Sequence, residues 1–423
     1  MLHHGFVNQG QGFDNQGWVD AGAAAELLGV KRETLYAYAS RGLVRSAPGP
    51  RLGRARVYHK EDLERVRSRS LARSGHGAVA ASALRWGEPV LETRVGSIGE
   101  DGPSYRGRSA VVLAREGTPF EEACDRLWER RGRREEARSL EPSPQALAAL
   151  LPSGAEPFDG MLLAAGAIAA REGRAESVEI ARRAAAPLLR RLVGAAGLVR
   201  GEGDVRASLA EADAARALLR ALGGPPPPGG LRSTHIRAMN EALVLVADHE
   251  LNASTFAARV AASAGASLAS CVVAALATLS GPLHGGATAR VEALAVEVAR
   301  PERAAEIVGA RLDRGDAVPG FGHPLYPNGD PRGARLMELA ERIGGRSRTV
   351  RVLSAVVRAM DLVAREPPTV DVGLVALTAA LRLGKGTPLA IFAAGRAAGW
   401  IAHALEQKAA GHLLRPRARY VGP

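Results

Sequence analysis

The chain has 423 residues, 46% hydrophobic but only 4% aromatic, which is enough for several domains whose cores are filled mainly by Ala, Leu and Val. No uncharged apolar run could span a bilayer, and the opening MLHHGFVNQGQGF lacks the basic-then-apolar order of an export signal, so a cytoplasmic protein without a membrane partner is expected. A formal net charge of +12 invites a nucleic-acid reading, yet all but four of the 56 basic residues are arginines, a ratio that reads as GC-rich coding bias.

The distribution of charge says more than its total. Residues 1–86 hold thirteen Lys/Arg against seven Asp/Glu, half the net charge in a fifth of the chain. Residues 1–16 are polar, rich in Gln, Asn and Gly, and expected to be disordered. Over 17–73 the pattern is a helix at 23–28, a turn at Gly29-Val30 and a helix at 31–40 closed by Gly42. A Pro/Gly/Arg-rich hairpin and a last helix opening near Lys60 follow. The stretches AAELLGVKRETLYAYASRGLV and RVYHKEDLERV resemble winged helix-turn-helix modules of the MerR and excisionase type. That resemblance implies DNA as a partner: Lys31, Arg32 and Thr34 would face base edges from the second helix. Arg51, Arg54 and Arg56 in the wing would touch phosphates. A module serving protein contacts alone is the competing reading.

Residues 74–89 read as a Gly/Ala/Ser-rich linker. A small hairpin turning at Asp101-Gly102 is expected over 91–113. Helical periodicity then dominates, at 119–131, 143–151, 159–172, 176–198, 206–222, 233–248, 253–264 and 267–279. After a loop at 223–230 with four successive prolines excepted from that run, further helices are expected at 286–299, 302–313, 331–343, 348–365, 371–382, 387–394 and 396–409. Cys124 and Cys271 sit in apolar helical surroundings and read as small buried hydrophobes.

Three histidines stand out: His249 in ADHELNAST, His284 in GPLHGGA and His323 in VPGFGHPLY. An imidazole is the side chain best suited to hold or donate a proton near neutral pH. Two of the three have glycine neighbours in segments that cannot extend a helix comfortably, unlike core histidines. A carboxylate, Asp371 in PTVDVG, and the arginines Arg332, Arg396 and Arg415 accompany them, a set that could gather and join two carbon acids bearing several negative groups. Competing chemistries lack their signatures. GKGT at 384–387 is no phosphate loop, and HExxH is absent, so neither metal nor redox cofactor is expected.

The segments SYRGRSAVVLAREGTPFEEACDRLW, ADHELNASTFAARV, GPLHGGA, GFGHPLYPNGDPRG, VDVG, RAAGWIAHALEQ and RPRARYVG together resemble the citrate synthase family. The resemblance implies a mainly α, two-domain helical fold: a large domain over 90–286, a small one over 287–384, and a return to the large domain over 385–423. It implies condensation of acetyl-CoA with oxaloacetate through an enol(ate), with the thioester as substrate. Asp371 would be the base, His284 the donor to the enolate oxygen, and His323 the acid at the ketone. His249, Arg332 and Arg396 would hold oxaloacetate, Val318, Pro319, Gly320, Phe321 and Gly322 would read the CoA adenine, and Arg415 would complete the partner's site in a homodimer. The chain departs from the commonest pattern at Pro324, at Thr288-Ala289 and at Val246. Propionyl-CoA as substrate, giving 2-methylcitrate, and a non-catalytic sensor of CoA esters or citrate are the alternatives.

Overall fold

The computed structural model describes residues 17–41, 43–48, 56–60, 62–63, 66, 91–132, 137–172, 177–223, 232–416, 420 and 422. They belong to two bodies, one ending at Glu92 and one beginning at Thr93. The expected disordered stretch 1–16, the linker 74–89, most of the proline loop, Gly42, Arg51 and Arg54 lie outside the described residues.

In the first body, Asp20 accepts hydrogen bonds from the N–H groups of Gly22 and Ala23 and so starts helix α1, Ala21–Leu28. Gly29 ends it in the left-handed region (φ 62°), where glycine has no steric penalty. After a short turn comes α2, Arg32–Ser40, with Lys31 as its cap residue and not its first turn. Strands β1 (Trp18–Asp20), β2 (Ser46–Pro48) and β3 (Arg56–His59) form an antiparallel sheet in the order β1-β3-β2. Ala24, Leu35, Val44, Tyr58 and Leu63 make the core. The buried Asp62 accepts from the backbone N–H of Arg45 (2.9 Å) and from its guanidinium (2.7 and 3.1 Å). Helix, turn, helix and antiparallel wing are thus present as expected, with Lys31, Arg32 and Arg56 exposed and Thr34 half-buried.

The second body opens with β4 (Gly96–Gly99), β5 (Gly102–Tyr105) and β6 (Arg108–Ser109). Gly99 pairs with Gly102, so the tight turn is Glu100-Asp101, one residue earlier than the sequence suggested. The expected hairpin to 113 is cut short because Ser109 caps a helix, α3 (Ala110–Glu116). Next come α4 (Phe120–Trp128), α5 (Pro144–Ala148), α6 (Pro157–Arg171) and α7 (Val178–Ala195). The helix expected at 206–222 is two, α8 (Glu202–Ala210) and α9 (Ala214–Leu222). Glu211 is extended there, and Asp213 restarts the chain by capping Arg216 N–H. Then follow α10 (Ser233–Val246), α11 (Ala253–Ser263), α12 (Leu268–Leu279), α13 (Ala287–Val298), α14 (Ala304–Asp313), α15 (Pro331–Gly344), α16 (Arg348–Val363) and α17 (Val370–Ala380).

The last helix, α18, runs unbroken from Thr387 to Ala410, where two helices were expected. Gly395 does not break it but lets it approach α10: a Cβ there would stand 2.4 Å from Val246 Cγ2. At Gly399 the backbone N–H donates to the Ala247 carbonyl (2.8 Å). One large core cluster, mostly Ala, Leu and Val, surrounds α18 and takes in α15 and α17, with Trp400 among its largest buried side chains. A smaller cluster of Leu294, Val298, Val308, Val352, Val356 and Met360 joins α13, α14 and α16. A mainly α fold is therefore observed. No helix among the described residues is long and apolar enough to cross a membrane.

Candidate functional site

The turn after α10 holds His249, which is buried beside the segment 323–326. Its Nε2 lies 2.8 Å from the Tyr326 hydroxyl, and its ring meets that of His323 edge-on at 5.6 Å between centroids. Burial, followed by the charges of Arg332 and Arg396, keeps His249 well below the ordinary histidine value. It is therefore neutral around pH 7.

His323 is half-buried, and burial followed by Arg332 lowers its pKa as well. The Leu325 backbone N–H donates to its Nδ1 (3.1 Å), so the neutral ring carries its proton on Nε2. The loop before it is fastened to the start of α17: Thr369 N–H donates to the Gly320 carbonyl (2.8 Å), and Phe321 bridges to Pro368. Gly320 has φ 87°, and a Cβ there would lie 2.4 Å from Val372, so this loop accepts only glycine at that point. Val318 is buried, while Pro319, Gly320 and Phe321 are half-buried and Gly322 is exposed.

Arg332, in the first turn of α15, is 2% exposed and paired with Asp330 through Nε (2.9 Å) and Nη2 (2.8 Å). Its guanidinium lies over the Tyr326 ring at 5.3 Å. Asp330 also accepts from the Arg332 and Val370 backbone N–H groups (both 3.0 Å), so one carboxylate joins the N-termini of α15 and α17. Burial alone would raise Asp330, but Arg332 outweighs it and holds the carboxyl below its ordinary value. Asp371, in the first turn of α17, is half-buried. Burial raises its pKa, against the hydrogen bond that it accepts from Thr369 Oγ1 (3.1 Å).

Arg396 is buried in the middle of α18. Its Nε donates to the Val246 carbonyl (2.8 Å), and its guanidinium stacks on Phe392 at 4.5 Å. No side chain among the described residues accepts from its terminal nitrogens, unlike those of Arg332. Burial pushes it down to about 10, with Asp248 as the first charge opposing that shift. A permanently charged fork left open at its ends is suited to a carboxylate from outside.

His284 lies in the loop before α13, half-buried. Its Nε2 is 2.8 Å from Ser254 Oγ, which also accepts from Trp400 Nε1 (3.1 Å) and lies 2.8 Å from Asn252 Oδ1. Asn252 Oδ1 caps α11 through Thr255 N–H, which identifies it as the oxygen. The single Ser254 proton therefore has two acceptors, Asn252 or His284. Turned to Asn252, it makes His284 Nε2 a donor; turned to His284, it leaves Nδ1 carrying the ring proton. Burial, then Arg396, brings His284 down to about 4. Electrostatic influence thus links His284 to Arg396, and Arg396 to His249 and Arg332.

Arg415 is not drawn into this cluster. It is exposed beyond α18, in the segment whose start is held by Gln407 Nε2 donating to the His412 carbonyl (3.1 Å). His403 is completely buried, and neither ring nitrogen has an aligned hydrogen bond among the described residues. Tyr326, Ser254, Asn252, Trp400 and Asp330 were not singled out from sequence. Asn252 and Ser254 stand at the start of α11, where such residues are ordinary caps, and a loop tyrosine carries no periodic signal.

The sequence model described as "Citrate synthase, C-terminal domain" matches residues 83–417, and one described as "Helix-turn-helix domain" matches 18–70. Citrate synthase 2 of Bacillus subtilis is 39% identical over 191 residues, 44% of this chain and 51% of that protein. A 2-methylcitrate synthase of Shewanella oneidensis is 36% identical over 44% of this chain and 51% of its own length. The chain thus spans about half the length of these curated relatives. The solved ternary complex of carboxymethyl coenzyme A and oxaloacetate with citrate synthase from Thermoplasma acidophilum has the same fold, with a TM-score of 0.70. It covers 81% of this chain and 96% of its own at 24% identity.

Proposed function

The chain belongs to the citrate synthase family, and from that premise we propose that it condenses acetyl-CoA with oxaloacetate to give citrate and free CoA. The observation that carries the reading is the open-ended guanidinium of Arg396, whose charge acts on the neutral imidazoles of His249 and His284, with Arg332 acting on both Arg396 and Asp371. Oxaloacetate brings two carboxylates to such a place. Arg396 takes one through its free nitrogens, with Arg332 and His249 as further donors.

Asp371 removes a proton from the thioester methyl group, and the enol(ate) oxygen receives a hydrogen bond from His284. For Nδ1 to be that donor, the Ser254 hydroxyl turns its proton toward His284 Nε2. The carbon nucleophile then attacks the ketone carbon of oxaloacetate, while His323 Nε2–H passes a proton to the ketone oxygen. Water cleaves the resulting citryl thioester, releasing citrate and the CoA thiol. The loop Val318–Pro319–Gly320–Phe321–Gly322 reads the adenine, and the small cluster within 287–384 moves against the rest to enclose the reactants. Arg415 reaches the site of a second copy, which makes the homodimer the working unit.

Thiol release with acetyl-CoA and propionyl-CoA, measured side by side with oxaloacetate, tests the reading. One added methylene changes pocket preference by only about 1–3 kcal/mol, so both thioesters react and their kcat/KM ratio decides the natural one. Negligible release with either, together with ligand-dependent DNA affinity, would establish the sensor alternative instead. Ser254→Ala is expected to lower kcat roughly tenfold to a hundredfold with little change in the oxaloacetate KM, since His284 then lacks its orienting partner.

The pH dependence has a defined sign. Asp371 works as the carboxylate, so kcat falls as pH drops through its pKa, which burial raises above 3.8. His284 stays neutral down to about 4. A kcat profile between pH 4 and 8 is therefore expected to show an acid limb above the ordinary aspartate range. A profile flat to pH 4 speaks against Asp371 as the base.

For the N-terminal module we propose DNA binding, supported by the helix-turn-helix match and by Lys31 and Arg32 exposed at the start of α2. A homodimer would offer two such modules to a two-fold symmetric site. Gel shifts of the full chain on genomic fragments are expected to weaken steeply with salt and to lose preference in a Lys31→Ala/Arg32→Ala variant. Equal retardation by both proteins would favour the protein-contact role.

A further inference from the structure

We propose that His403 is a positioning residue of this site, acting through Asp248 to hold the turn that carries His249. His403 lies on the face of α18 that also presents Arg396 and Trp400, at helical spacings of three, four and seven residues. Each of the three meets the segment 246–254: Arg396 at the Val246 carbonyl, Trp400 at Ser254, and His403 at Asp248. His403 and Asp248 are 0% and 1% exposed, with Nε2 3.2 Å from Oδ1. The contact is charge against ring nitrogen, off the line of a hydrogen bond.

The space for Asp248 is built by two glycines. A Cβ at Gly96 would stand 2.3 Å from Oδ2, and one at Gly399 would stand 2.5 Å from Oδ1. The Glu250 N–H donates to Oδ2 (3.2 Å), and Glu250 itself is held at φ 53°, a left-handed conformation that a non-glycine residue adopts only under constraint. His249 sits between these two residues, so the carboxylate that fixes the turn also aims the imidazole. Its other oxygen faces His403, and no other side-chain donor among the described residues supports it. A leucine at 403 would fill the volume but leave a buried carboxylate without that support.

The kinetic arm of the test rests on the condensation reading; a second arm does not. In the whole 423-residue chain, His403→Leu is expected to raise the oxaloacetate KM about tenfold or more while the acetyl-CoA KM stays within about twofold. His403→Gln keeps an N–H donor and is expected to return the oxaloacetate KM to within about threefold of wild type. With 13C-labelled histidine, the His249 ring resonance, assigned by its loss in His249→Gln, moves in the leucine variant and returns in the glutamine variant. Wild-type KM and an unmoved resonance in His403→Leu overturn the proposal, as does equal loss of folded protein in both variants with no difference between them. Should the leucine variant alone fail to fold, Asp248→Asn decides: a raised KM and shifted His249 signal support the assignment, and wild-type values for both sink it. If wild type releases no thiol, the condensation reading falls and the resonance alone judges His403.

Discussion

Asp371→Asn is expected to lower kcat on the order of 10³-fold, the usual scale for losing a general base, while both Michaelis constants stay near wild type. The amide keeps the size of the side chain and can still meet Thr369 Oγ1, so the first turn of α17 stays in place. What disappears, on the proposed mechanism, is the ability to accept a carbon-bound proton. Stability is expected to move the other way. Burial raises the Asp371 pKa above its unfolded value, so any stabilising contribution of this group belongs to the protonated form and is lost as pH rises through the folded pKa. At neutral pH the folded protein therefore holds an unfavourable charge that asparagine removes. A melting temperature equal to or above wild type, together with the kinetic loss, separates a base from a structural residue. A variant that melts lower and loses activity in proportion to its folded fraction would remove Asp371 from the mechanism.

Asp330→Asn is expected to destabilise the protein by about 3–5 kcal/mol, because it leaves the buried guanidinium of Arg332 without its paired charge. The damage goes further than one ion pair. Asp330 accepts from Arg332 N–H and from Val370 N–H, so the substitution loosens the starts of α15 and α17 together. Both Arg332 and Asp371 then lose their common anchor. Urea unfolding monitored by circular dichroism reads the stability, and the surviving folded fraction should show a raised oxaloacetate KM. The sign of the pH effect follows from the depressed pKa of Asp330. Its contribution is complete above the unfolded value and is lost as pH falls through the lower folded one. Wild type should thus lose stability on acidification more steeply than the asparagine variant. Parallel acid-unfolding curves would contradict this account.

Much of the helical plan was legible because apolar residues recur at helical spacing and Asp, Ser and Asn mark the starts. The failures have particular causes. Two adjacent valines in Ala110–Glu116 favour a strand by local preference, and the Ser109 cap decided otherwise. Glu211–Asp213 contains no glycine or proline, yet the Asp213 cap divides the expected helix. Gly395 looks like a breaker in sequence, although its role is to let two backbones approach. At the site, His249, His284, His323, Asp371, Arg332 and Arg396 were singled out from residue type and motif, whereas Arg415, singled out with them, lies outside the cluster. Tyr326, Ser254 and Asp330 were not, since their importance comes from contacts between segments distant in sequence. Asp248 and His403 lie 155 positions apart and are invisible as a pair until the chain folds.

The glycine-to-carbonyl seam between α18 and α10 has a mechanical consequence. Gly399 bonds the Ala247 carbonyl directly, and Gly395 packs against the Val246 side chain and the Leu243 backbone with no side chain of its own, so the layer between the two helices is thin at these points. The wall bearing His249 and Arg396 should act as a fixed anvil, with little slip or rotation available to it. On the proposed mechanism, movement during turnover would then fall to the hammer, the valine-lined bundle of α13, α14 and α16. Hydrogen exchange should divide along the same line, slow and ligand-insensitive on the first and faster, ligand-responsive on the second.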